Sequence, residues 1–316
     1  MRFDENADLD TSHIDDLRGS GGGGGGGLGG RVAVGGGGLG IVGLILFFVI
    51  SALGGGGGTG TGGGFAVPGG LSGLQQGQTA DNTAVAETCR TGADANTNLD
   101  CEVTAVVNSL DGYWSDEFAR SGQTYTPPRT NFFEGSVSTD GCGSATSDVG
   151  PFYCPGDSEI YIDLSFFKEL ETRFGAQGGP FARAYVIAHE YGHHIQNLLG
   201  TNRKVRAGDS GPTSGSVRLE LQADCYAGAW GNHATTTPTA SGRPLITDVT
   251  QADVNAALDT AERIGDDYIQ SNLGGGRVDK SQFTHGSSAQ REKWFTTGFR
   301  TGDPARCDTF GTNNLG

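Results

Sequence analysis

Hydrophobic residues recur at helical spacing between Cys101 and Arg120, where Val103, Val106, Val107, Leu110, Trp114 and Phe118 form one stripe. Pro127 and Pro128 end that pattern. Strands are predicted over 130–137 and 159–164; in the second, Ile160 and Ile162 alternate with Tyr161 and Asp163. Between them, GCGSATSDVGPFYCPGD reads as a loop carrying its own cysteine pair. After Ser165 the periodicity is helical, over 165–174, 180–198, 214–233, 250–270 and 287–300. A few strands followed by helices predict an α+β domain, mainly helical after a small sheet, filling residues 80–316.

A different pattern precedes it. Val32 to Leu53 carries no charge and as a helix would span roughly 33 Å, enough to cross a bilayer. We expect a single transmembrane helix over 32–54, a polar and Gly-rich disordered tail over 1–31, and a Gly-rich linker over 55–79. A cleaved signal or a buried core helix would be the alternatives. The long acid-rich lead and the poor cleavage site at Ala52-Leu53-Gly54 favour a retained anchor. Arg2, Arg18 and Arg31 precede the span, and the next basic residue is Arg90. That asymmetry predicts a single-pass cell-membrane protein with a cytoplasmic N-terminus and the domain outside.

Composition sharpens this. Glycine numbers 57 of 316, about half of it before residue 80, so the excess belongs to one segment. The net charge of −15 argues against nucleic acid as a partner. All six cysteines, Cys89, Cys101, Cys142, Cys154, Cys225 and Cys307, follow the apolar span. An even count there predicts disulfides: Cys89–Cys101 and Cys142–Cys154 as local pairs, leaving Cys225–Cys307. The alternative is six buried thiols. No pair has the close spacing of a cysteine zinc site.

The candidate chemistry lies in AYVIAHEYGHHIQNLLG. His189-Glu190-Tyr191-Gly192-His193 is H-E-x-x-H, and on a helix residues i and i+4 share a face. His189 and His193 can therefore reach one metal ion, with Glu190 beside it as general base. His194 lies about 140° around the helix from His189 and is not a ligand. Gln196 and Leu199 stand where a metzincin would carry Gly and His, so the third ligand must come from elsewhere. Downstream, RLELQADCYAGAW places Glu220 and Asp224 at i and i+4 among apolar residues. Glu220 is the candidate third ligand. Asp224 is the candidate acceptor for the outer N–H of a ligand histidine. A solvated acidic face is the bland alternative, and His233 or Asp224 would be the next ligand candidates.

HEYGHH followed by ELQADCYAG resembles the Glu-zincin metallopeptidases. The loop GCGSATSDVGPFYCPGDSEIYIDLSFF, the tail FTHGSSAQREKWFTTGF and Asp16-Leu17-Arg18-Gly19 are similar to the bacterial membrane-anchored neutral zinc metallopeptidase family of the YpfJ type. The resemblance implies a zincin-like fold, one Zn2+ per chain, and a peptide or protein substrate. It implies hydrolysis of peptide bonds by a metal-activated water. The general zincin plan would have a strand near 159–163 hold an extended substrate. His285 and Arg291 resemble a His-to-Arg stretch of M48-type peptidases in which the His stabilises the oxyanion, although Gly286 stands where Pro is common there. Arg291 would then orient substrate or a backbone carbonyl. If His285 were only a structural cap, Tyr191 or Tyr226 would be the next oxyanion donors. The rival functions are a non-catalytic zinc-containing binding module and an envelope-assembly module, for which Glu190 would be superfluous.

Overall fold

Helical spacing in 101–120 gives a long helix because its stripe has a core to face. A computed structural model describes residues 1–19, 79–239 and 242–316. The strands are β1 (Arg2–Phe3), β2 (Ile14–Asp16), β3 (Thr130–Phe133), β4 (Ser136–Thr139), β5 (Gly143–Thr146), β6 (Phe152–Cys154), β7 (Glu159–Asp163) and β8 (Ile246–Asp248). The helices are α1 (Thr83–Thr88), α2 (Gly92–Ala95), α3 (Leu99–Arg120), α4 (Phe166–Thr172), α5 (Pro180–Leu198), α6 (Gly215–His233), α7 (Gln251–Arg263), α8 (Asp266–Asn272) and α9 (Ser288–Thr301). Asn98 caps α3 by accepting from the Asp100 and Cys101 N–H groups, and the whole predicted stripe is buried. The predicted strand over 130–137 breaks at Gly135, whose φ of +74° turns β3 into β4.

The main sheet runs β2-β3-β7-β6. Its first three strands are parallel, and β6 pairs antiparallel with β7 at one edge. The pairs β4–β5 and β1–β8 form two smaller sheets. Parallel neighbours need long crossovers, so helices α1–α3 lie between β2 and β3 in the chain. The result is a mixed α/β arrangement of nine helices and small sheets among the described residues.

Helix α5 packs against β6, β7, α3, α6 and α7, and α6 packs in turn on α9. The approaches are close. A Cβ on Gly192 of α5 would lie 2.8 Å from Ala223 Cα of α6, and one on Gly298 of α9 would lie 1.9 Å from the Cys225 carbonyl oxygen. Only glycine lets these backbones meet, and their meeting sets the site geometry described below. The cysteines pair as Cys89–Cys101, Cys142–Cys154 and Cys225–Cys307, the last fastening α6 to the C-terminal turn.

The expected architecture, a domain preceded by one transmembrane helix, needs correction. Residues 1–19, expected to be a disordered cytoplasmic tail, are part of the fold. Phe3, Ala7 and Ile14 are buried in the main core. Strand β2 adds to β3 in register, Ile14 opposite Thr130 and Asp16 opposite Phe132. The Asp16 carbonyl accepts from Asp81 N–H, and the Asn82 side chain accepts from Asp16 N–H. Arg18 joins Asp16 to Asp100 of α3. Both flanks of segment 20–78 thus meet in one hydrogen-bonded neighbourhood. A single crossing would separate these flanks, so their pairing does not support the expected anchor. The expected anchor at 32–54, and all but the last residue of the linker at 55–79, lie outside the described residues. Among those described, no helix is long and apolar enough to cross a membrane.

If residues 1–19 belong to the core, truncating Ile14 must weaken the whole domain. Ile14→Ala in the full chain is expected to cost about 2–5 kcal/mol, read as a lower urea midpoint. An unchanged midpoint would return the segment to a dispensable tail.

Candidate metal centre

Helix α5 starts at Gly179-Pro180, with Pro in the first turn where its missing N–H is harmless, and its C-cap is followed by the left-handed Gly200. It is buried almost all round, from Phe181 to Gln196. Ser214 caps α6 by accepting from Val217 N–H. Because α5 and α6 touch at Gly192 and Ala223, the faces carrying His189, His193, Glu220 and Asp224 lie against each other. His189 Nε2 lies 3.1 Å from Glu220 Oε2, and His193 Nε2 3.5 Å from Glu220 Oε1. Three such donor atoms fall within 4.8 Å of one another, and all three residues are buried.

The outer ring nitrogens decide the tautomers. His189 Nδ1 sits 2.8 Å from Asp224 Oδ1. His193 Nδ1 sits 2.9 Å from Gln196 Oε1, whose amide donates to the Leu219 carbonyl and to Gln222 Oε1. Both acceptors lack a proton to give, so each Nδ1 carries its own. Each Nε2 then faces the Glu220 carboxylate, and once free of a proton would offer its lone pair to a cation there. Two imidazole lone pairs and a carboxylate converging in a buried space suit a divalent cation.

Electrostatics agree. Burial works to raise Asp224, but the Arg291 guanidinium and His189 hold it at about 2. Glu220 is likewise held well below the usual carboxylate range, against burial, by the histidines around it. Burial pushes His193 down to about 4. His189 rises to about 10, because Asp224 and Glu220 outweigh its burial. The field at this point favours positive charge. Burial pushes Glu190 up to about 7, so this carboxyl exchanges protons near neutrality. Glu190 Oε2 is buried with no hydrogen-bond partner among the described residues.

The family model described as "Putative neutral zinc metallopeptidase" matches residues 1–310. The chain belongs to this metallopeptidase family. It is 50% identical over 229 residues to the uncharacterized protein Rv2575 of Mycobacterium tuberculosis H37Rv, covering 72% of this chain and 76% of that one. It is 39% identical over 246 residues to the uncharacterized protein YpfJ of Escherichia coli K12, covering 76% and 80%. No solved structure matches it. The family match includes the N-terminal strands β1 and β2.

In this family member the other anticipated residues fall as follows. His285 enters the same cavity as His189, Glu190 and Glu220. Its Nε2 has no partner among the described residues. Its Nδ1 faces Thr284 Oγ1 at 3.0 Å and Asp266 Oδ1 at 3.4 Å. Glu220 and Asp266 raise it against the effect of burial. The cap of α9 is Ser287, not His285. Arg291 lines the same cavity and clamps Asp224, with Nε and Nη2 each 2.9 Å from a carboxylate oxygen. It also donates to the Tyr185 hydroxyl and the Ile264 carbonyl.

Several candidates lie elsewhere. His194 bonds Tyr153 and the Thr126 carbonyl, and His233 bonds the Gly302 carbonyl. Tyr191 bonds Asp111, and Tyr226 meets Trp114 edge to face. The strand at 159–163 is interior, paired with β3 and β6, so it cannot add a substrate strand. The strand beside Glu190 is β6, whose Tyr153 backbone N–H stabilises the Glu190 carboxylate.

Four supporting residues escaped the sequence reading. Tyr185, one turn before His189, donates to Asp224 at 2.7 Å, and Gln196, three residues after His193, orients that ring. Helical spacing could have found both. Tyr153 and Asp266 had no local signal. Asp266 accepts from the N–H groups of Thr284, His285 and Gly286, which fixes the loop carrying His285.

Replacing His189, His193 or Glu220 with Ala should each abolish tight zinc binding in competition with a chromogenic chelator. Asp224→Ala should weaken it about 10–100-fold. Normal affinity in Glu220→Ala would move the third ligand elsewhere.

Proposed function

We propose that this protein is a zinc-dependent peptidase. The observation that carries the reading is a buried carboxylate, Glu190, with one oxygen unspent, beside a group of two histidines and one carboxylate at an apolar cavity. Zinc held by His189, His193 and Glu220 would supply a Lewis acid that activates water near neutral pH and polarises a peptide carbonyl. Glu190 Oε2 takes a proton from the attacking water and returns it to the leaving amine. His285 Nε2 donates to the carbonyl oxygen as that oxygen gains charge. Asp224, its charge balanced by Arg291 and its oxygen hydrogen-bonded by Tyr185, holds the His189 ring in its tautomer. Peptides or proteins are the substrates. The three disulfides support an oxidising compartment outside the cytoplasm. A site that served only to retain metal would gain nothing from the unspent Glu190 oxygen, whose desolvation costs stability.

Glu190→Gln should keep one zinc per chain and lose peptide hydrolysis. Retained zinc with cleavage near the unmodified rate would sink the assignment.

His285→Ala should lower kcat by about 10²–10³-fold with zinc content unchanged. An unchanged kcat with a reduced melting temperature would make His285 a structural residue.

A further inference from the structure

The cavity beside Glu190 has a chemistry of its own. It holds about 70 Å³, well above the ~10–15 Å³ that one water needs. Beyond the histidines and carboxylates of the centre, its walls are largely apolar: Pro151, Phe166, Phe174, Val186, Ile264 and Ile269. Two further polar side chains reach the lining, and both are already committed. The Tyr185 hydroxyl donates to Asp224. The Arg291 guanidinium is taken up by Asp224, Tyr185 and the Ile264 carbonyl. The buried atoms lacking partners there are Glu190 Oε2 and His285 Nε2, among the described residues.

The walls are preformed. Phe174 is tied by its carbonyl, which accepts from the Tyr268 hydroxyl at 3.2 Å and Arg263 Nη1 at 3.3 Å. This links the end of α4 to the corner between α7 and α8, the source of Ile264 and Ile269. The Phe166 ring packs against Phe174 and lies over Gly150, where a Cβ would come within 3.0 Å of it. Gly150 also has φ +75°, so it leaves room for the ring and lets the chain turn into β6.

We propose that this cavity selects a large apolar side chain on the substrate residue beside the scissile bond. The proposal rests on the peptidase reading above. An apolar side chain entering the cavity leaves water and meets apolar walls, a favourable exchange. A charged side chain would lose its hydration and, away from Glu190 and His285, meet apolar walls and two polar side chains that are already paired, an uncompensated cost. Discrimination by one methylene in such a pocket is about 10–200-fold, so Leu or Phe against Gly should exceed about 100-fold in kcat/KM.

The test uses the zinc-loaded full chain and a peptide library varied on both sides of each bond. Cleavage should map to bonds with Leu, Ile, Met or Phe on one constant side. Ile269→Trp, at a half-buried wall position, should fill the cavity and move the preference to Ala or Gly. Ile269→Glu should admit Lys or Arg. Cleavage without preference on either side, or a wild-type preference for charged residues, would overturn the proposal. So would an unaltered profile in folded Ile269→Trp, with folding checked by its melting temperature.

A second arm separates this from failure of the peptidase reading. In zinc-loaded Glu190→Gln, calorimetry compares a Phe-containing peptide with its Asp counterpart. Preferential binding of the Phe peptide supports the pocket even if the wild-type protein cleaves nothing. Equal binding overturns it.

Discussion

Everything around the centre depends on one buried carboxylate. Asp224 is fully buried and receives the Tyr185 hydroxyl, the His189 ring and two nitrogens of Arg291. Those partners come from α5 and α9, so a single side chain of α6 fixes three helices relative to one another. A buried charge left without partners is strongly destabilising, which couples the arrangement of the helices to the orientation of a metal-binding ring. The glycine contacts at Gly192 and Gly298 are the steric counterpart: they bring the backbones near enough for these short bonds to form.

The centre was legible in the sequence to the extent that its geometry is helical. His189 and His193, and Glu220 and Asp224, are each one turn apart, and that spacing states which side chains share a face. Tyr185 and Gln196 obey the same spacing and could have been read with them. Asp266 could not. Its partners are the backbone N–H groups of a loop that only the tertiary fold brings to it. The role of Arg291 was half visible: the backbone carbonyl was anticipated, but the carboxylate it neutralises was not.

The fold was less legible, for a related reason. Alternation marked β7, yet alternation says nothing about neighbours, and β7 proved interior. The first 19 residues carry dense charge with four scattered large apolar side chains after Met1, a composition that reads as solvated chain. In the structure the charges are locally matched, as in Asp16 with Arg18 and Asp15 with Arg129, while Phe3 and Ile14 reach the core. Strands of two and three residues leave little periodicity to detect. Their pairing partners lie far along the chain, beyond the reach of any local pattern.

That distance has a kinetic side. The earliest strands wait across long stretches of chain for their partners: Ile14 for Thr130, and Arg2 for Asp248. Pairings of such long sequence separation incur loop-closure entropy before they return any contact energy, and chains rich in them fold slowly. The main sheet ends in β6 beside the metal-site helix and in β2 at its opposite edge, so the sheet is complete only when the chain has returned to its early strand. A nascent chain stopped before β8 would hold the two histidines and their glutamate in an unclasped body.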